Sequence, residues 1–155
     1  MALKSYCRLG LAVLGLTVLT AQTNMLTVEQ PDKVTVKRNA TAHAKIKVLL
    51  QSGFHANSNT PSEEYLIPLR LTWTRGPLES VEVTYPKPQM EKYEFSPKPL
   101  SVFTGAFEIG TSFKAAADAP FGPGVLAGKL RYQACNNKAC FPPKTVEVKL
   151  PFSIQ

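Results

Sequence analysis

Apolar and polar residues alternate with period two along much of the chain, the pattern of strands with one buried face. KVTVK at 33–37 and KIKVLL at 45–50 show it first. IPLRLTW at 67–73 follows, with Pro68 near its start, where a missing amide donor is tolerated. SVEVTY at 80–85, GAFEIGTSF at 105–113, LAGKLRYQ at 126–133 and TVEVKLPF at 145–152 continue the series. Gly and Pro punctuate it at Gly76–Pro77, Pro86–Lys87–Pro88, Pro97–Lys98–Pro99, Pro120 to Gly124 and Pro142–Pro143. One helix-like stretch, Lys114 to Ala119, is short and stops at Pro120. Seven or eight short strands at this spacing predict an all-β domain, an immunoglobulin-like β-sandwich ahead of a barrel. Two pieces, 53–64 and 86–104, read as long irregular loops, and loops of such length are either functional or loose.

The N-terminus departs from this pattern. Lys4 and Arg8 precede an uncharged run, Leu9 to Thr20, that is too short to span a bilayer as a helix. Ala21 offers a small residue at a cleavage point, which predicts a secretory signal peptide over residues 1–21 and a working domain over 22–155. An uncleaved anchor and a buried helix are the competing readings. Export places the domain in the periplasm or cell envelope.

Composition now changes the picture. The full chain has 155 residues, 44% of them apolar and 19% charged, enough for one packed core and too few charges for wholesale disorder. Its 13 prolines are scattered, which argues against long helices. Net charge is +7; without Lys4 and Arg8 the domain keeps 16 basic residues against 11 acids, or +5. That charge is diffuse, with no Lys/Arg cluster of the kind that binds nucleic acid. The leader also takes Cys7 with it, so an odd thiol count of three becomes the single pair Cys135 and Cys140 in an oxidising compartment.

The pair lies in RYQACNNKACFPPK at 131–144. Asn136 and Asn137 suit the turn between the cysteines, and a turn of this length brings the two Cβ atoms within bridging distance. Closing so short a loop stabilises less than closing a long one. The spacing therefore suits a bond that opens and closes without unfolding the domain. From spacing alone, however, a structural disulfide remains the default for an exported domain with one pair. Metal binding is disfavoured because only His43 and His55 remain as candidate ligands, far from zinc spacing. No C-x-x-C-H haem motif occurs, and Pro142–Pro143 prevents the helix that activates a thioredoxin-type C-x-x-C. The sequence implies no cofactor, metal or nucleic acid, and no Ser/His/Asp constellation can be built from His43 and His55. Lys138 and Lys144 are the cations near the pair. Trp73, Phe95, Phe103 and Phe107 each have a plain reading as core or edge aromatics, and His55 as a loop residue.

The run LRYQACNNKACFPPKTVEVKLPF at 130–152 resembles the signature of the N-terminal domain of the DsbD family of thiol:disulfide interchange proteins. GFHANSN at 53–59, Leu66 to Pro68, KYEFSPKPLSV at 92–102 and Phe103–Thr104–Gly105 resemble further family segments in the same order. The resemblance covers about residues 30 to 155. It implies an immunoglobulin-like domain, of the protein-disulfide reductase type, whose cysteines relay two electrons through a mixed disulfide. A membrane-embedded thiol transporter would be the donor. Thioredoxin-fold periplasmic proteins, including disulfide isomerases and factors of cytochrome c biogenesis, would be the acceptors. Cys140 is implied to form the mixed disulfide and Cys135 to resolve it. Phe95 falls where the family carries an aromatic cap, with Glu94 at a nearby acidic position and Phe141 directly after the pair. Tyr93 and Ser96 stand where the best-known member has an acid and a tyrosine, and His55 and Asn57 where it has tyrosines. Because the chain ends at Gln155 without a membrane domain, the expected donor is a separate protein.

Overall fold

The computed structural model describes residues 24–155, so the leader expected at residues 1–21 lies outside the described residues. Its strands run in the order β1 (Leu26–Val28), β2 (Val34–Val36), β3 (Thr41–Leu50), β4 (His55–Asn57), β5 (Arg70–Trp73) and β6 (Leu78–Thr84). Then follow β7 (Gln89–Glu91), β8 (Leu100–Thr104), β9 (Ala106–Ala115), β10 (Gly122–Tyr132), β11 (Ala134–Cys135) and β12 (Lys144–Ile154). Each of the alternating segments of the sequence forms one of these strands.

Two four-stranded sheets face one another, with orders β1-β3-β9-β6 and β2-β12-β10-β5. β2 joins β12 in parallel; the other pairs in these sheets are antiparallel. β3 shows why the alternation works: Ala42, Ala44, Ile46, Val48 and Leu50 point inward while Thr41, His43, Lys45 and Lys47 point out. Ile46, Val48, Leu50 and Ile109 of the first sheet pack with Leu71, Leu130, Tyr132 and Val148 of the second. At the other end Leu78, Phe113 and Ala115 meet Leu126, Leu150, Phe152 and Ile154. Each large apolar side chain buried here contributes about 1.5–3 kcal/mol, so this interior stabilises the strands more than their local propensity does. Trp73 is half-buried on it, edge-on to Phe113 at 5.2 Å, and its Nε1–H donates to Thr111 Oγ1 at 3.2 Å.

A third antiparallel sheet, β11-β4-β8-β7, corrects the reading of 53–64 and 86–104 as loops. β4 and β8 lack clean alternation because both of their faces are covered. Leu100, Ser101, Val102 and Phe103 of β8 are all buried in succession. The expected helix at Lys114 to Ala119 is also corrected. There β9 runs on to Ala115, whose N–H and C=O pair with Ala40 and Asn39, and no helix forms among the described residues.

The chain enters the third sheet after Gly53 and leaves it at Gly105, both with positive φ (82° and 59°). Gly105 alone separates β8 from β9, and its C=O accepts from Leu50 N–H at 2.9 Å. A Cβ added there would meet open space, so a substitution acts through the backbone alone. Gly105→Ala should lower the unfolding free energy by about 1–2 kcal/mol, the cost of a left-handed residue with a side chain. Urea denaturation measures it, and an unchanged midpoint would show that the junction relaxes freely.

Candidate functional site

The register of the third sheet sorts its residues onto two faces. Ala134 opposes Ala56, which opposes Phe103, and all three belong to the main core. One residue along, Cys135 opposes His55, which opposes Thr104. Directly opposed residues share a face, so this second row turns away from the sandwich core. Asn57 opposes Val102 and Leu100 opposes Glu91 on the same outward face.

The chain reaches this sheet from β10 through one residue, Gln133. Its Oε1 accepts from Asn57 Nδ2 at 2.9 Å and from Ile67 N–H at 3.1 Å, while its Nε2 donates to Phe141 C=O at 3.2 Å. Asn57 Nδ2 also donates to Ile67 C=O at 3.2 Å. The carboxamide thus fastens both sides of the cysteine loop to the neighbouring segments. Within the loop, Asn136 N–H bonds Ala139 C=O, and Asn136 Oδ1 accepts from the amides of Lys138 and Ala139, all at 2.9 Å. The Asn that suited a turn therefore makes one, by side-chain capture of the amides two and three residues on.

Cys135 and Cys140 form a disulfide, with Cα atoms 3.9 Å apart. Cys135 is fully buried, whereas Cys140 is half-buried. An aromatic group lies over the outward face. Tyr93 stacks on the His55 ring at 3.8 Å, and Phe95 lies nearly parallel to both, 5.8 Å from Tyr93 and 6.4 Å from His55. Tyr93 joins Leu66, Leu100 and Val102 in a small cluster, against which both Phe95 and Cys140 pack. A tight turn presents Phe95: Ser96 N–H bonds Tyr93 C=O at 3.1 Å, and Ser96 Oγ donates to Lys98 C=O at 2.7 Å. Lys98 in turn pairs with Glu63 at 3.6 Å, tying the turn to the segment before Leu66. On the other flank Phe141 leans on Phe54 at 5.9 Å.

The sequence-predicted residues separate clearly. Cys140, Phe95 and Tyr93 converge on one small cluster, Cys135 is tied to it through its bond to Cys140, Phe141 lies against Phe54, and Glu94 is exposed. Lys138 and Lys144 are exposed. Phe103 is buried in the core and stacks on half-buried Phe107 at 4.8 Å. His43 lies on another sheet, bonded to Ser112 at 3.0 Å, so it does not meet His55. His55 itself is no loop residue: it is 2% exposed in β4, beside Cys135. Sequence reasoning also passed over Gln133 and Glu91, since a lone carboxamide and a lone acid carry no periodic signal. Among the described residues no group of three metal-ligating side chains occurs.

Burial pushes the His55 imidazole down to about 4, against the upward pull of the Glu91 carboxylate. Burial also raises the Tyr93 phenol, reinforced by the hydrogen bond it donates to Glu91 Oε2 at 2.5 Å. Among the described residues two buried side-chain polar atoms lack a partner, His55 Nε2 and Asn57 Oδ1. Both belong to β4 and both sit on the outward face, His55 directly opposite Cys135.

Fold and site together define an immunoglobulin-like β-sandwich that carries a disulfide on an added sheet beneath aromatic side chains. The family model for the N-terminal domain of thiol:disulfide interchange protein DsbD matches residues 22–151, and the chain belongs to that family. The N-terminal periplasmic domain of ScsB from Proteus mirabilis superposes with a TM-score of 0.56 at 16% identity, over 85% of this chain and 49% of that one. The chain thus spans about half the length of that structure. A type I cohesin of Pseudobacteroides cellulosolvens gives 0.46 at 12% identity, over 84% of this chain and 92% of that one. The PapD-like domain of human CEP192 gives 0.44 at 12% identity, over 93% and 98%. No curated protein matches the sequence.

Between about 4 and the ordinary 6.5, the unfolded chain takes up a proton on His55 that the folded chain refuses. Stability contributed by neutral His55 is therefore complete above pH 6.5 and is lost as the pH falls toward 4. The difference between wild type and His55→Phe in urea midpoints across this range should isolate the slope. Parallel curves would refute it.

Proposed function

We propose that the domain is a periplasmic thiol–disulfide exchange module that relays two electrons through reversible opening of the Cys135–Cys140 bond. One observation carries the reading: the loop that holds the cysteines is fastened by bonds independent of the disulfide. Gln133 Nε2 to Phe141 C=O, Phe141 N–H to Ala134 C=O and Asn136 N–H to Ala139 C=O involve neither sulfur. Reduction then leaves two thiols in place, ready to reclose. Membership of the DsbD N-terminal family supports the same chemistry.

In this reading Cys140, the half-buried sulfur, attacks or is attacked by the partner, and buried Cys135 resolves the mixed disulfide. Phe95 shields Cys140 from small oxidants, and Glu94 and Phe141 border the contact surface. The electron donor is a membrane-embedded thiol transporter and the acceptors are thioredoxin-fold proteins, among them factors of cytochrome c biogenesis. Residues 1–21 act as the export signal and 22–155 as the working domain. The periplasmic origin of the ScsB domain supports that location.

A reduction potential above roughly −300 mV is expected, because structural disulfides in exported proteins lie below that value. A lower potential would return the bond to a structural staple in a non-redox binding domain. Cys135→Ser should accumulate mixed disulfides with thioredoxin-fold proteins through Cys140, visible as bands that reductant removes. Absence of such species from both single-cysteine variants would deprive the relay of its intermediate.

Phe95 separates cap from core. Phe95→Ala should speed oxidation of the reduced pair by hydrogen peroxide while changing stability by less than about 1 kcal/mol, since the ring is only half-buried. An unchanged oxidation rate with a loss of several kcal/mol would make Phe95 a packing residue instead.

A further inference from the structure

Cys135 and His55 are directly opposed partners on adjacent antiparallel strands, with side chains on the same face of the third sheet. Such pairs hold their Cβ atoms about 4.5–5.5 Å apart, which makes the two side chains neighbours. His55 is 2% exposed and Cys135 0%. A proton on the Cys135 sulfur therefore has no direct route to water. Yet disulfide closure requires that this proton leave, because the thiolate is the nucleophile.

The second observation is the unpartnered Nε2 of His55. Buried polar atoms in folded proteins nearly always have a partner, and an exception calls for a cause. In the disulfide state Cys135 has no S–H to offer. Reduction supplies one, directly across the strand pair from the imidazole. We propose that His55 is the base that takes the Cys135 proton as Cys135 closes the disulfide onto Cys140. The inference rests on the relay reading and assigns it a proton acceptor.

The step balances. A partner disulfide has already been opened by the Cys140 thiolate, leaving the partner's sulfur bonded to Cys140 Sγ. The Cys135 S–H gives its proton to His55 Nε2, and the sulfur's electron pair attacks Cys140 Sγ. The Cys135–Cys140 bond forms, the bond from Cys140 to the partner's sulfur breaks, and the partner leaves as a thiolate. His55 then returns its proton to that thiolate. The domain has been oxidised by two electrons and the partner reduced by two.

The surroundings fit this cycle. The titratable groups that face His55 are Cys135 from β11, Glu91 from β7 and Tyr93 from the turn after it. Thr104 on β8 and Phe95 carry no charge, and the neighbouring segment from Leu49 to Phe54 has no ionisable side chain. Burial keeps the imidazole neutral while the disulfide stands. A thiolate formed at Cys135 is itself the counter-ion that a proton on the ring needs, as in other paired Cys–His sites. Glu91 adds attraction in the same sense.

Reaction of the reduced domain with 5,5′-dithiobis(2-nitrobenzoate) separates the two steps, since each releases one coloured thiolate. The first release reports attack by Cys140 and the second reports closure by Cys135. In the wild type the second rate should be flat across neutral pH, where an internal base is already free. In His55→Gln and His55→Phe it should fall at least about tenfold and climb in proportion to hydroxide, with the first release unchanged. His55→Phe keeps a ring against Tyr93, so a fault of packing alone would spare it. Equal second rates and equal pH profiles in wild type and either folded variant would overturn the proposal. So would a wild-type second rate that rises with hydroxide, a measurement that needs no variant. A wild type with no second release would instead refute the relay reading itself.

Discussion

The register of one short strand pair governs the rest of the molecule's chemistry. Ala134 and Ala56 face the sandwich core together, so Cys135 and His55 must face away from it together. A slip of one residue would drive the sulfur and the imidazole into the core and turn the alanines out. The strands involved are too short to enforce this by their own ladder; β11 has two residues and β4 three. Core burial of Ala134, Ala56 and Phe103, with the Gln133 carboxamide bridging to Asn57, Ile67 and Phe141, supplies the missing specificity.

This arrangement divides labour between two kinds of interior. The sandwich interior is apolar and packed from both main sheets, and neither cysteine belongs to it. The third sheet adds a second, smaller interior whose outward face holds polar atoms as well as aromatic rings. There Tyr93 spends its hydroxyl on Glu91 and lends its ring to His55, while Phe95 and Cys140 complete the cover. A disulfide placed in the first interior would be inaccessible, and one on open surface would be exposed to any thiol. The half-buried position of Cys140 beside fully buried Cys135 lies between these extremes.

Much of the fold was legible because period two is a direct imprint of one-sided burial. β3 could be found from KIKVLL, although its first half was missed because Ala42 and Ala44 are weakly apolar. The cysteine pair was legible as a turn, since Asn136 announces its own conformation through its side chain. The third sheet was not legible. β8 is buried on both faces, and β4 reads His-Ala-Asn, so neither displays the alternation that reveals a strand. Lys114 to Ala119 erred in the opposite direction, with good local helix formers overridden by pairing of β9 to its neighbours.

By itself the sequence determined the class of fold, the pairing of Cys135 with Cys140, and the family, because these depend on periodicity, turn chemistry and a local signature. Only the tertiary structure decided what surrounds the sulfurs. His55 lies 80 positions from Cys135 in the chain, and Gln133 lies 76 from Asn57. Which of the distant polar residues meet the pair is set by strand register across three sheets, a long-range property that no local pattern encodes. So His55, unremarkable in a polar segment of the sequence, stands in the folded chain directly across from the buried cysteine.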